Sequence, residues 1–271
     1  MGLHILLPTD IHINNLLLLT TIRNTMKITI ITATKNNEAT LNETINSVIN
    51  QTHTDIDYII IDGNSTDNSL DIIKQWHAKY PNIIRYISEP DNGVYNAINK
   101  GLNLAKGEII GLLHGNDYFS SSNILSQVAE KFKSTQTDMI YGDINFVNKK
   151  GKCVRHYSSK NFTPKMLSIG IAPPHPSLYL RKNIHERYGN YNESYIVGAD
   201  FELFVRLMLI YNVKGEYLPL NMVTMRTGGL STQLKNRLFT NSKEKLRALK
   251  ENGIKSSPFS LLKRYKYSFI Q

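Results

Sequence analysis

The sequence predicts an α/β fold with a mostly parallel central sheet flanked by helices, and three observations carry that expectation. Four short apolar runs, Lys27 to Thr34, Asp57 to Asp62, Ile83 to Ile87 and Ile109 to Leu113, are each followed by a helical pattern at short spacing. Such alternation of strand and helix argues for crossover units around a parallel sheet. The last run, IIGLL, is continuously apolar, as suits a central strand covered on both faces. Finally, the loops that follow the four strands, 34–38, 62–67, 88–93 and 114–118, collect Asp, Asn and Gly. Right-handed crossovers place all four on one rim, just past the carboxyl ends of the strands, where open α/β sheets bind ligands.

Each element has a local reason. KITIITAT is β-branched and reads as the first buried strand. A helix is expected from about Ala39 to Asn50, with Leu41, Ile45, Val48 and Ile49 as its stripe and Thr40 with Glu43 at capping-box spacing. DYIIID is the second strand, followed by a helix over Asn68 to Lys79. Ile83 to Ile87 is the third, and the turn-rich Ser88-Glu89-Pro90-Asp91-Asn92-Gly93 leads to a helix over Val94 to Ala105. The fourth strand runs into His114-Gly115-Asn116-Asp117. Beyond it the spacing predicts a helix over Ser121 to Lys133 and a hairpin of Met139 to Asn148 with Lys152 to Tyr157. A strand over Ser177 to Leu180 opens with Pro173-Pro174-His175-Pro176, and a short helix begins at Arg181. Asp200 starts an amphipathic helix, Gly215 to Met225 is strand-like, and a basic helical tail closes the chain.

Composition limits the classes open to it. At 271 residues, 41% apolar and 20% charged, the chain is an ordinary globular protein with ample core. Its single cysteine, Cys153, excludes an internal disulfide and a multi-cysteine zinc site, and fits a cytoplasmic setting. No stretch reaches the roughly 18–20 apolar residues of a spanning helix. Residues 1–25 lack the pattern of a secretory signal and are expected to be an N-terminal appendage ahead of Met26. The formal charge is +10, and residues 235–271 hold ten Lys/Arg against Glu244 and Glu251. Such a basic extension, 233–271, suits an anionic partner such as a lipid surface. A helix packing back on the domain, or mediating self-association, suits it equally.

The rim loops hold no G-x-G-x-x-G and no G-x-x-x-x-G-K-[ST], so a nucleotide would have to be held by carboxylates and a metal. Asp62 ends a strand and has no evident capping duty, which favours a ligand role. Asp67 precedes a helix and reads as its cap. Asp117 can hold a divalent ion that bridges two phosphate oxygens, since such an ion takes only one or two carboxylates. His114 is either a ligand or structural. Asp200 is either a helix cap or a general base.

The stretches TATKNNEATLNETINSVINQT, YIIIDGNSTDNSL, SEPDNGVYNAINKGLNLAKGEIIGLLHGNDYF and VGADFELFVRL together resemble family 2 glycosyltransferases of the GT-A fold. The similarity runs from about Lys27 to Thr232 and is nearest in flavour to bacterial enzymes of O-antigen and capsule synthesis. It implies a domain over 26–232, with 26–120 as the nucleotide-sugar half and 121–232 as the acceptor half. It also implies inverting transfer of a sugar from a nucleotide diphosphate sugar to a hydroxyl of a glycan or undecaprenyl-diphosphate-linked acceptor. By that resemblance Thr34, Glu38 and Asp62 would contact the nucleoside, and Asn99 would line the donor side. His114 and Asn116 would sit at the ribose and diphosphate, and Asp117 on Mg2+ or Mn2+. Asp200 would be the catalytic base and His175 an acceptor-side residue, with the GGLST loop near the diphosphate or the acceptor.

Family members usually carry two or three acids in the turn, where this chain has His114-Gly115-Asn116-Asp117. That thinning keeps open a second reading, a nucleotide-sugar binding module of weak or no activity. Nucleic-acid binding is not expected, because no aromatic-interleaved basic sheet or reader motif is present. The implied setting is cytoplasmic, with peripheral contact at the inner membrane face through the tail.

Overall fold

The computed structural model describes residues 25–227 and 235–261. The expected appendage, apart from Thr25, lies outside them, as do the GGLST loop and the last ten residues. Four strands, β1 (Ile28–Thr34), β2 (Ile56–Asp62), β3 (Ile84–Ser88) and β4 (Ile109–Leu112), pair in parallel in the order β3-β2-β1-β4. Between them run α1 (Glu38–Ile49), α2 (Ser69–Lys79) and α3 (Val94–Leu104). All residues of β1, β2 and β4 are buried, as their apolar runs require. Alternate side chains supply two cores. Ile28, Ile30, Tyr58 and Ile60 pack under α1 and α2, while Ile31, Ile59, Ile61 and Leu112 pack under α3.

The second half departs from parallel order. It comprises β5 (Asp117–Phe119), α4 (Ile124–Thr135), β6 (Met139–Val147), β7 (Cys153–Tyr157), β8 (Tyr179–Arg181), α5 (Lys182–Tyr188), α6 (Ala199–Val205), β9 (Gly215–Arg226) and α7 (Lys235–Glu251). The sheet continues β4-β8-β6-β9-β5, with β8 antiparallel to β4 and β6, β6 parallel to β9, and β7 added to β6. Only residues 113–116 join β4 to β5, yet β8, β6 and β9 stand between them in the hydrogen-bonded order. The sheet therefore curls, bringing β5 and β9 back beside the end of β4. Asp117, expected in a turn, begins a strand that pairs with β9 opposite Met225.

The capping box expected at Thr40 is absent. α1 starts at Glu38 behind Asn37, and Thr40 donates its hydroxyl to the Gly115 carbonyl at 2.9 Å. Asp67 caps two helices. Its carboxylate accepts from the Ser69 amide at 2.9 Å and from the Glu38 amide at 3.0 Å. The Glu38 carboxylate in turn accepts from the Asn68 amide at 3.0 Å, so the first turns of α1 and α2 cap each other.

The basic extension is part of this body as far as it is described. Ala248 and Leu249 of α7 are buried in the core that holds α6. The Glu244 carboxylate accepts from the amides of Ile196 and Val197 at 2.8 and 2.9 Å, and Arg247 lies 4.2 Å over Tyr195.

At the far end of the strands, Asp57 organises a buried network. It takes two bonds from Arg85, one from Thr29 and one from the Lys106 amide. Asp57→Ala is expected to cost about 3–5 kcal/mol, because it leaves Arg85, the Thr29 hydroxyl and the Lys106 amide without their acceptor. Chemical denaturation reads this directly, and a loss under 1 kcal/mol would contradict the network's role.

Candidate active site

The rim loops converge above the carboxyl ends of β1, β2 and β4. Thr34 ends β1, 5% exposed, its hydroxyl accepting from Asn37 Nδ2 at 3.0 Å. Gly115 lies directly on it, where an added Cβ would be 2.8 Å from Thr34 Cβ. The glycine is thus a packing requirement, letting the turn after β4 close on the end of β1.

One sequence-based expectation is corrected here. Asp62 does have a capping duty. It is fully buried and accepts from the Ser65 amide at 3.1 Å, the Ser65 hydroxyl, and Ser88 Oγ at 2.6 Å. Its carboxylate shapes the 62–65 loop and ties it to the end of β3. Asn99 is likewise committed elsewhere. Its side chain donates to the Tyr191 carbonyl at 2.8 Å and to Glu193, and accepts from the Tyr191 amide at 3.1 Å. It fastens α3 to the 191–193 turn. Glu38 is exposed but engaged with Asn68, as described.

The remaining residues form one connected group. His114 and His175 face each other through their Nε2 atoms at 3.2 Å. His175 Nδ1 is 3.4 Å from Asp200 Oδ2, and the Tyr95 hydroxyl approaches Asp200 Oδ1 at 3.5 Å. Tyr95 is held by stacking on Tyr191, ring centroids 5.8 Å apart. The group draws on the turn after β4, the segment before β8, the start of α6 and the start of α3.

Burial and neighbours set the charges. Burial pushes His114 down to about 3, helped by His175, so its ring is neutral. Burial pushes Asp200 up, but the hydrogen bond and charge of His175, with the Phe201 amide and Lys245, outweigh it and hold the carboxyl below its usual range. Asp117 behaves oppositely. It is 3% exposed, and burial pushes it up to about 7 despite the pull of His175 and Arg226.

Sequence reasoning passed over Arg226, at the end of β9. Its guanidinium lies 4.8 Å over Tyr118, donates to the Asn116 carbonyl at 2.9 Å and pairs with Glu43. The available signal was its position just ahead of the GGLST loop. It also passed over Tyr95 and over Asp91, which pairs with Lys100 at 2.7 Å and faces Gly63.

Among the described residues no group of three or more His, Cys, Asp or Glu side chains gathers to hold a metal ion. Asp117 nevertheless suits a cation, because a carboxylate raised this far by burial is relieved by positive charge. A divalent ion that shares its coordination with phosphates needs no more than one or two carboxylates. The residues fit an ion that arrives with a diphosphate, not a free-standing metal site.

A family model described as Glycosyl transferase family 2 matches residues 29–188. An uncharacterized glycosyltransferase of Nostoc sp. is 30% identical over 171 residues, 60% of this chain and 53% of that protein. A chondroitin synthase of Pasteurella multocida is 26% identical over 195 residues, 71% of this chain and 20% of the synthase. The chain thus spans about half of the first relative and a fifth of the second. Among solved structures, a mannosyltransferase of Pyrobaculum calidifontis in complex with GDP-Man and Mn2+ matches with a TM-score of 0.63 at 16% identity. That match covers 89% of this chain and 69% of the other. With its curled, mostly parallel sheet and a family match over more than half its length, this chain is a member of glycosyl transferase family 2 with the GT-A fold.

Proposed function

We propose that the protein is an inverting glycosyltransferase. It moves a sugar from a nucleotide diphosphate sugar to a hydroxyl of a glycan or lipid-linked glycan in surface polysaccharide synthesis. One observation carries the reading. His175 joins the two halves of the chain, paired with Asp200 on one side and facing His114, in the turn that leads to Asp117, on the other. That separates a donor corner from an acceptor corner across a single side chain. The match to a mannosyltransferase solved with GDP-Man and Mn2+ supports a nucleotide-sugar donor, and the chondroitin synthase supports a glycan acceptor.

In this reading Thr34 and the loops fixed by Asp62 and Glu38 form the nucleoside side. Asn116, His114 and Arg226 border the diphosphate, and Asp117 holds the divalent ion. When bound, that ion supplies Lewis-acid neutralisation of the departing diphosphate. Asp200 takes the proton of the acceptor hydroxyl as its oxygen attacks the anomeric carbon from the face opposite the leaving group. The bond from carbon to the diphosphate oxygen breaks, and configuration inverts. A single carboxylate at the reacting carbon suffices, unlike the pair about 5 Å apart in a retaining hydrolase.

Membrane contact belongs to the proposal as well. Lys250 and Lys255 are exposed, Phe259 is 80% exposed, and among the described residues no helix is long and apolar enough to cross a membrane.

A panel of nucleotide sugars with Mn2+, read by thermal shift, tests the donor assignment. One member should raise Tm by several degrees, since a ligand bound only to the native state stabilises it. The gain should need both nucleotide sugar and ion, with Mn2+ alone giving none. Stabilisation by no member would reject the reading. Donor binding without transfer to any acceptor pool would favour the inactive binding module.

A further inference from the structure

The second half carries a basic surface separate in sequence from the C-terminal extension. From Ile144 to His185 the chain has eight Lys/Arg and neither Asp nor Glu. Lys149, Lys150, Lys152, Arg155, Lys160 and Lys165 are all exposed, and none is paired with a carboxylate among the described residues. The acid just before this stretch, Asp143, is buried and accepts from the Ser159 amide at 2.7 Å and the Tyr217 hydroxyl at 2.8 Å.

Four of the six cations belong to the β6–β7 hairpin, whose place is set by the sheet. Because β8 is antiparallel to both β4 and β6, β6 runs in the same sense as β4. Gly111 and Ile140 both lie opposite Tyr179. Beyond that level β4 ends at Leu112, whereas β6 continues to Val147, so the hairpin stands past the rim on the side of the site. Its root is fixed to the turn that carries His175. Ser177 Oγ donates to the Gly142 carbonyl at 3.0 Å, and the Tyr157 hydroxyl donates to the Ala172 carbonyl at 2.9 Å. Across the sheet Asp117 lies opposite Met225, Met225 opposite Phe146, and Phe146 opposite Arg155. Three strand spacings, roughly 14 Å along the sheet, separate Arg155 from Asp117.

We infer that this hairpin is the docking surface for an anionic acceptor glycan, a chain that repeats a carboxylate or a phosphate. Its end lies in the site while its charged units run along Lys149, Lys150, Lys152 and Arg155. The inference rests on the reading of the site as a glycosyltransferase centre and names its acceptor class. Each exposed cation contributes little alone, but a cluster of one sign raises the local concentration of a polyanion. Arg155 is already ordered, its guanidinium 5.8 Å over Phe146 and 5.5 Å over Tyr157, so binding costs it little freedom. A bilayer fits this surface less well. The tip, Lys149-Lys150-Gly151-Lys152, has no apolar side chain to insert, and Val154 is the one large apolar residue exposed on β7.

Decagalacturonate and its methyl ester share a backbone and differ in charge, and a glycerol-phosphate decamer supplies phosphate in place of carboxylate. In fluorescence anisotropy with the full chain, at least one anionic decamer should bind at low salt and dissociate as salt rises, and the ester should not bind. Changing Lys149→Gln, Lys150→Gln and Lys152→Gln together should weaken that binding roughly tenfold, the scale of three exposed ion pairs. The gain in Tm from the nucleotide sugar should stay as in the parent. Lys74→Gln, Lys106→Gln and Lys214→Gln together remove the same charge from exposed positions outside the hairpin, and should leave binding within about twofold. Binding of neither anionic decamer, binding of the ester as tight as that of the acid, or equal loss in the two triple variants would overturn the inference. So would sedimentation with phosphatidylcholine–phosphatidylglycerol vesicles that the hairpin variant abolishes while neither decamer binds, which marks a membrane patch. A gain in Tm from no nucleotide sugar would instead reject the transferase reading, so the two failures are distinguishable.

Discussion

Asp200→Asn is expected to lower transfer by about 10²–10⁴-fold, the usual contribution of a positioned general base, while donor affinity stays within a factor of two or so. That loss corresponds to about 3–5 kcal/mol of transition-state stabilisation. The physical case rests on placement. Asp200 lies in the first turn of α6, and its two oxygens face His175 and Tyr95. Because its carboxyl is held below the usual range, it contributes stability that is present above about pH 4 and is lost as pH falls through its folded value. The Asn variant should therefore be modestly less stable at neutral pH, and its activity must be measured below its own Tm. Initial rates of nucleoside diphosphate release, alongside donor binding by calorimetry, separate the two effects. Near-normal turnover would remove Asp200 from the chemistry.

The effect of Asp117→Asn should have the opposite sign in stability. The Asp117 carboxyl titrates near 7 in the folded chain and near 3.8 when exposed, so the unfolded state loses its proton first as pH rises. Wild-type stability is thus eroded between about pH 4 and 7 and levels off above. Asn has the same shape and no charge, so the variant escapes this erosion. The full separation corresponds to at most about 4 kcal/mol. Thermal melts should show the variant several degrees more stable at pH 8 and equal to the parent near pH 4. The same change should lower donor affinity in Mn2+ at least tenfold, because the neutral amide cannot hold the ion that accompanies a diphosphate. Equal melting at pH 8 would show that Asp117 is not strained by burial. Unchanged donor affinity with and without a chelator would show that it holds no ion.

Of these two acids, Asp117 is held at a cost to the fold and Asp200 is not. Asp57, by contrast, is fully satisfied within the protein and belongs to the scaffold. Functional residues commonly break local rules that the scaffold obeys.

Much of the first half of the fold was legible in the chain itself. Strand runs, helix stripes and the Asp-, Asn- and Gly-rich loops are properties of contiguous residues, and they place a rim at the carboxyl ends of β1 to β4. The resemblance read from four ordered motifs agrees with the family match over residues 29–188. The partners of each rim side chain were not legible. Glu38 and Asp67 lie 29 residues apart and become mutual caps only because two parallel strands set two helix starts side by side. Asp62 loses its apparent freedom to Ser65 and to Ser88, 26 residues on, and Asn99 is committed to Tyr191 by the docking of the second half.

The order of β8, β6, β9 and β5 was also out of reach, since antiparallel pairing and sheet curl follow from long-range contacts and not from local pattern. That curl turns Asp117 from a turn residue into a buried strand residue beside Arg226. It also sets His175 between His114 and Asp200, 61 residues from one and 25 from the other along the chain. The sequence by itself determined which chemical groups stand at the strand ends. Only the tertiary structure decided which of them share a proton, because hydrogen bonds depend on distances of a few ångströms that spacing along the chain does not encode.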